Sequence, residues 1–95
     1  MYLPTPEDFE PWVGRNVRVE AQPYSIEVRL VRIERLKILP NALRDPYILI
    51  FESDWNLELQ DNAYLFDCGR GGPYRILISQ LQPKGPRRTY QAVFN

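Results

Sequence analysis

The chain has 95 residues, 44% of them hydrophobic and 25% charged, and its twelve basic residues balance its twelve acidic ones at a formal net charge of +0. That length holds one domain around one core, the composition argues against disorder, and the charge balance removes any whole-molecule attraction to nucleic acid or an anionic membrane. With no histidine and a single cysteine, Cys68, histidine nucleophile pairs, histidine proton shuttles, cysteine-rich zinc sites and intrachain disulfides are excluded.

The first element is a short helix. Thr5 suits the cap, Pro6 the first helical position, and Glu7 and Asp8 the electropositive first turn. Pro11 lacks an N–H, so one turn over Pro6 to Glu10, a kink and a looser turn through Trp12 and Val13 are expected. Gly14 ends it as a left-handed cap. Phe9, Trp12 and Val13 fall on one side, which predicts a lid over one end of a sheet or barrel. The start MYLPTPEDF lacks the basic beginning and apolar centre of a secretory signal, which predicts a cytoplasmic home. No apolar run reaches the roughly 18 residues of a membrane span.

Arg15 to Ala21 alternates Val17, Val19 and Ala21 with Asn16, Arg18 and Glu20, a half-buried strand. Tyr24 to Leu39 is the longest alternating stretch and the expected centre of the fold. A turn over Ala21 to Tyr24 sets Val19 beside Ile26, Val17 beside Val28, and Arg18 beside Glu27. After Leu30 the phase slips: Val31, Ile33 and Arg35 take the inward side, and a β-bulge is the simplest cause. Leu39 to Pro46 reads as a loop.

Tyr47 to Glu52, YILIFE, is a continuous apolar run and is placed as a central strand covered on both faces. Leu57 and Leu59 flank Glu58 in a further short alternating piece, and Gln60 to Asn62 turns into Ala63 to Phe66. Asp67 to Pro73, DCGRGGP, marks a tight hairpin or small flexible loop. Tyr74, Ile76 and Ile78 alternate with Arg75, Leu77 and Ser79 in a largely buried strand. Gln82 to Arg88 is a polar turn, and Thr89 to Phe94 closes with Tyr90, Ala92 and Phe94 on one face. The pattern predicts an all-β fold: a small antiparallel β-barrel or barrel-like sandwich of about six to seven strands with one short N-terminal helix.

The segments DFEPWVG, IEVRLVRIE, ILIFES, LELQDNAYLF and the closing YQAVFN resemble, over nearly the whole chain, a family of small bacterial all-β domains of unknown function that end in Tyr-x-Ala-Val-Phe-Asn. Asn62 stands where that family has a glycine, and Cys68 with the surrounding glycines where it has a His-Pro pair. The family has no assigned activity. Its loose association with genes for phage-tail-like collar proteins implies an accessory part of an assembly.

Several residues invite a chemical reading. The Asp67 to Gly72 loop has the glycines and the arginine of an anion cradle, but not the Gly-Lys-Ser/Thr ending or following helix of a phosphate loop, so a hairpin turn is the better reading. Cys68 beside Arg70 has no histidine partner and reads as a small semi-buried thiol. Glu52, Asp54 and Glu58 fit no cation loop or acid–base spacing and read as surface charges. Arg87, Arg88, Tyr90, Arg70 and Tyr74 would form a stacking, positively charged groove for single-stranded nucleic acid if the last two hairpin loops shared one end. The neutral balance and acidic neighbours of every basic strand argue against it.

No enzyme activity, cofactor or metal is therefore expected, nor any membrane contact. Two tryptophans, six tyrosines and four phenylalanines are more aromatics than so small a core readily hides. Exposed aromatics with arginines are the usual anchors of protein interfaces, and an unpaired strand edge offers a second route. The sequence thus points to a protein-interaction domain, with a protein partner or a homodimer of itself, anchored by Tyr2, Trp55, Arg70, Tyr74, Arg87 and Arg88.

Overall fold

A computed structural model describes residues 3–36, 46–83 and 85–94. The leading turn is α1 (Pro6–Phe9), capped reciprocally: the Asp8 carboxylate accepts from the Thr5 N–H at 2.8 Å and from its hydroxyl at 3.2 Å. A 3-10 turn over Glu10–Trp12 follows, because Pro11 cannot continue the α-helical ladder. Gly14 then takes a left-handed conformation at φ 80°, which a side chain at that position would strain.

Six strands follow: β1 (Asn16–Ala21), β2 (Tyr24–Arg35), β3 (Tyr47–Asp54), β4 (Asn62–Asp67), β5 (Tyr74–Gln80) and β6 (Arg87–Phe94). They close into an antiparallel barrel in the order β1-β2-β3-β6-β5-β4. The β1–β2 register is the expected one, with Val17 opposite Val28, Arg18 opposite Glu27 and Val19 opposite Ile26. The bulge also lies where the phase slips: Leu30 faces Phe51 and Arg32 faces Ile50, leaving Val31 without a partner residue.

Four expectations are corrected. Val31 does not turn inward; as the bulge residue it is squeezed to the outer surface, while Ile33, opposite Leu49, resumes the inner side. Leu57 to Leu59 is not a strand: the Leu57 N–H turns back to Asp54 O at 3.0 Å, so the barrel has six strands. Val13 points to solvent, because Val13 is past the last helical turn and pairs with Leu30 as an isolated bridge. Arg18 faces Glu27 without an ion pair and instead meets Glu20 at 3.1 Å and Asp67 at 3.7 Å. Tyr2 and most of the expected Leu39–Pro46 loop lie outside the described residues.

The core runs along the barrel axis through Val17, Val19, Val28, Leu30, Leu49, Phe51, Phe66, Ile76, Ile78, Tyr90 and Ala92. At one end the helix is indeed a lid. Phe9 and Trp12 are fully buried and meet edge to face at 5.0 Å, and Tyr47 stacks on Phe94 at 4.7 Å. The β5–β6 ladder consists only of Ser79 with Gln91 and Gln80 with Tyr90. Where those strands diverge, Phe9 lies 5.3 Å from Tyr74 and 5.8 Å from Phe94, so aromatic packing closes what backbone bonds leave open. Arg35 anchors the lid from outside, bonding Glu7 and Glu10 at 2.8 Å each. That pairing holds the Glu7 carboxyl below the usual range and pushes Arg35 up.

The other end is closed by a polar plug. Leu59 is buried, and its N–H donates to the Tyr90 hydroxyl at 3.1 Å. That hydroxyl lies 2.9 Å from Ser53 Oγ, which donates to Leu57 O at 2.7 Å. The sequence places Tyr90 in the last strand and ends the apolar strand at Glu52, whereas β3 runs on to Asp54 and takes in Ser53, and these bonds satisfy a loop that crosses the barrel mouth.

Candidate functional site

The antiparallel order places the last two hairpin loops at opposite ends of the barrel, because β5 runs between them. Arg70 and Tyr74 are at the lid end. Trp55, Arg87 and Arg88 are at the plugged end, and Tyr90 is fully buried inside. The groove that would have joined these residues is therefore not formed.

At the plugged end, Trp55 is exposed as expected, at 51%. The Arg88 guanidinium stacks 4.3 Å from its ring centroid and donates from Nε to Trp55 O at 2.7 Å. Arg88 also meets Glu58 at 3.5 Å, while Arg87 meets Glu52 at 3.2 Å and Asp54 at 3.5 Å. All three carboxylates considered for acid–base or cation chemistry are thus engaged by arginine. Among the described residues no group of three or more potential ligands is placed to hold a metal ion.

At the lid end, Tyr74 is half-buried against Trp12 at 5.7 Å and against Phe9, so it serves the lid more than the surface. The Trp12 indole N–H donates to Arg70 O at 2.8 Å and fixes the hairpin loop to the lid. Gly69 N–H donates to Asp67 Oδ1 at 2.9 Å, so the loop's own carboxylate occupies that donor, as a hairpin turn requires. Gly69, Gly71 and Gly72 all have φ near 78° to 79°. Burial pushes the Cys68 thiol up against the opposing charges of Arg70 and Arg15, and its Sγ lies 3.6 Å from Asn16 O. It is the thiol, not the thiolate, that is favoured.

The sequence reading missed the barrel's outer face over β3, β6 and β5. Tyr74, Ile76 and Ile78 turn inward, which forces Leu77 out to 68% exposure although the strand reads as buried. On the neighbouring strand Val93 is 48% exposed and sits opposite the outward Ile48 of β3. Leu77 in turn pairs with Ala63 of β4, so outward apolar pairs lie on both sides of the seam where β5 and β6 diverge. Beside it, Ile50, the bulged Val31, Leu81 and Pro86 line a groove of about 380 Å³ rimmed by Arg32 and Arg87. The signal was present in RILIS: strict alternation with both isoleucines inside leaves the central leucine outside.

A family model for a domain of unknown function (DUF6916) matches residues 4–94, covering the lid and all six strands. The chain belongs to the DUF6916 family. No curated protein and no solved structure matches this DUF6916 domain. Among the described residues of this DUF6916 domain, no helix is long and apolar enough to cross a membrane.

Proposed function

We propose that the domain is a non-catalytic module that docks onto other proteins as an accessory part of an assembly, and that the outer face of β3, β6 and β5 carries the docking. The observation that supports this most is Leu77, the most exposed large aliphatic side chain described, which like exposed Val93 stands on the outer side of a strand whose inner side is already filled, by Ile76 and Ile78 on β5 and by Ala92 on β6. Folding gains nothing from leucine there, whereas covering it gains about 25 cal/mol per Å² of apolar surface removed from water. Trp55 with Arg88 offers a second anchor of the aromatic and arginine kind at the plugged end. Arg87 borders both that corner and the groove.

The non-catalytic part of the reading rests on the chain's lack of histidine, the arginine-bound carboxylates and the protonated Cys68. A second copy of the chain is an acceptable partner, since two molecules of net charge +0 do not repel as wholes. A phage-tail-like assembly, as the sequence resemblance implies, is a setting in which such an accessory module fits.

A photocrosslinking residue at position 77, compared with one at Ser25 on the charged β1–β2 side, tests the proposal in the native cell. Discrete adducts from position 77 and none from position 25 are expected. Sedimentation of the purified chain then tells whether the adduct is a second copy. Equal yields at both positions, or no adduct at either, would overturn the reading.

A further inference from the structure

The charges balance in the sequence but not on the surface. Arg18, Arg32, Arg35, Arg87 and Arg88 each meet a carboxylate at 2.7 to 3.7 Å. Arg15, Arg29, Arg70 and Arg75 meet none among the described residues, and Glu27 is the described carboxylate left without a partner. Three of the four uncompensated arginines gather where the lid joins β1. The Trp12 indole N–H donates to Arg70 O at 2.8 Å, while the Trp12 backbone carbonyl accepts the Arg15 N–H at 2.9 Å, so one buried residue fixes the backbone of both. Both positive charges bear on Cys68, with the Asp67 carboxylate acting against them. Arg29, opposite Glu52 in the ladder, finds that carboxylate taken by Arg87 and turns its Nη2 to within 4.0 Å of where a Cβ on Gly14 would stand.

We propose that Arg15, Arg29 and Arg70 form a docking site for a short acidic segment of a protein partner, its Asp and Glu carboxylates replacing the missing counter-charges. Gathering like charges opposes folding unless an anion neutralises them. Guanidinium forks match carboxylates in bidentate geometry. A nucleic acid strand fits less well. The aromatics beside the site, Trp12 and Tyr74, are buried and half-buried, whereas base stacking needs an open ring face. Asp67 at one margin and Glu27 at another would repel a long uniform polyanion, so a short segment is favoured.

This inference does not rest on the apolar face. Fluorescence anisotropy with a labelled eight-residue peptide of alternating glutamate and serine tests it, using the full chain at low salt. Binding is expected, weakening as salt screens it. Arg15→Ala, Arg29→Ala and Arg70→Ala should each weaken it by about two- to fivefold, and the triple variant should abolish it. Arg75→Ala, an uncompensated arginine on β5, and Leu77→Lys on the apolar face should leave it unchanged. Unaltered circular dichroism and melting of the variants keep the comparison valid, because all three side chains are exposed. Absence of peptide binding, equal weakening by Arg75→Ala, or tighter binding of a single-stranded oligonucleotide of equal length would each overturn it.

Discussion

The two outer faces of this barrel cover one continuous core and yet differ in chemistry. On β1 and β2 the outward residues include Arg18, Glu20, Glu27, Arg29, Arg32 and Glu34, a mixed-charge surface laced by ion pairs at 2.7 to 3.7 Å, with the bulged Val31 the apolar exception. Across β3, β6 and β5 the outward residues are Ile48, the covered Ile50, Thr89, Gln91, Val93, Leu77 and Ser79, with charge confined to Arg75 at the lid end and to Glu52, Asp54 and Arg87 at the plugged end. Folding fixes only what points inward, through the two-residue period of each strand. The chemistry of the outward positions is free to reflect what those positions meet: water on one face and, by our reading, protein on the other.

The largest effects should be the same on both faces when inner residues are cut. Phe51→Ala, which removes a buried β3 ring 4.9 Å from Phe66, should cost about 3 to 5 kcal/mol, and Leu30→Ala under the charged face about 2 to 5 kcal/mol. Urea titration checks both; a marked asymmetry would mean the interiors are not equivalent and would break the comparison. Outer residues should separate the faces instead. Leu77→Lys should change stability by no more than about 0.5 kcal/mol while abolishing the crosslinked adduct, and Ser25→Lys should change neither.

At the margin between the faces, Trp55→Ala removes the ring under Arg88 and should cost about 0.5 to 1 kcal/mol of stability. A larger loss in partner binding than in stability would make Trp55 an anchor. The smallest effect belongs to the lid's ion pair. Because Arg35 lowers the Glu7 carboxyl, its stabilisation is complete above the unfolded glutamate value of about 4.3 and is lost as pH falls through the lower folded value. Thermal melts of wild type and Glu7→Gln should therefore differ most at neutral pH and converge in acid, and a difference that grew in acid would have the wrong sign.

Much of the barrel was legible because strand pairing leaves a strong trace. The alternation in VRVEA and IEVRL fixed the β1–β2 register, and the adjacent apolar pair Leu30-Val31 located the bulge. The Thr-Pro-Glu-Asp start and Gly14 bounded the lid. Leu57 to Leu59 misled because a short alternating run has the same pattern whether it pairs as a strand or hangs from the Tyr90 hydroxyl. The functional surface was harder to see. Whether an arginine finds a carboxylate depends on side-chain reach across the sheet, so the sequence does not distinguish Arg18, which is paired, from Arg29, which is not. The placement of Arg70 and Arg88 at opposite ends follows from strand direction, which a list of basic and aromatic residues does not contain.

Hydroxyl-radical footprinting of the protein in intact cells and as purified monomer would test the central claim most directly. The account predicts that Leu77 and Val93 are oxidised markedly more slowly in the cell than in isolation, while Tyr24, 75% exposed on the β1–β2 hairpin, reacts alike in both. Equal oxidation of all three residues in the two states would contradict it.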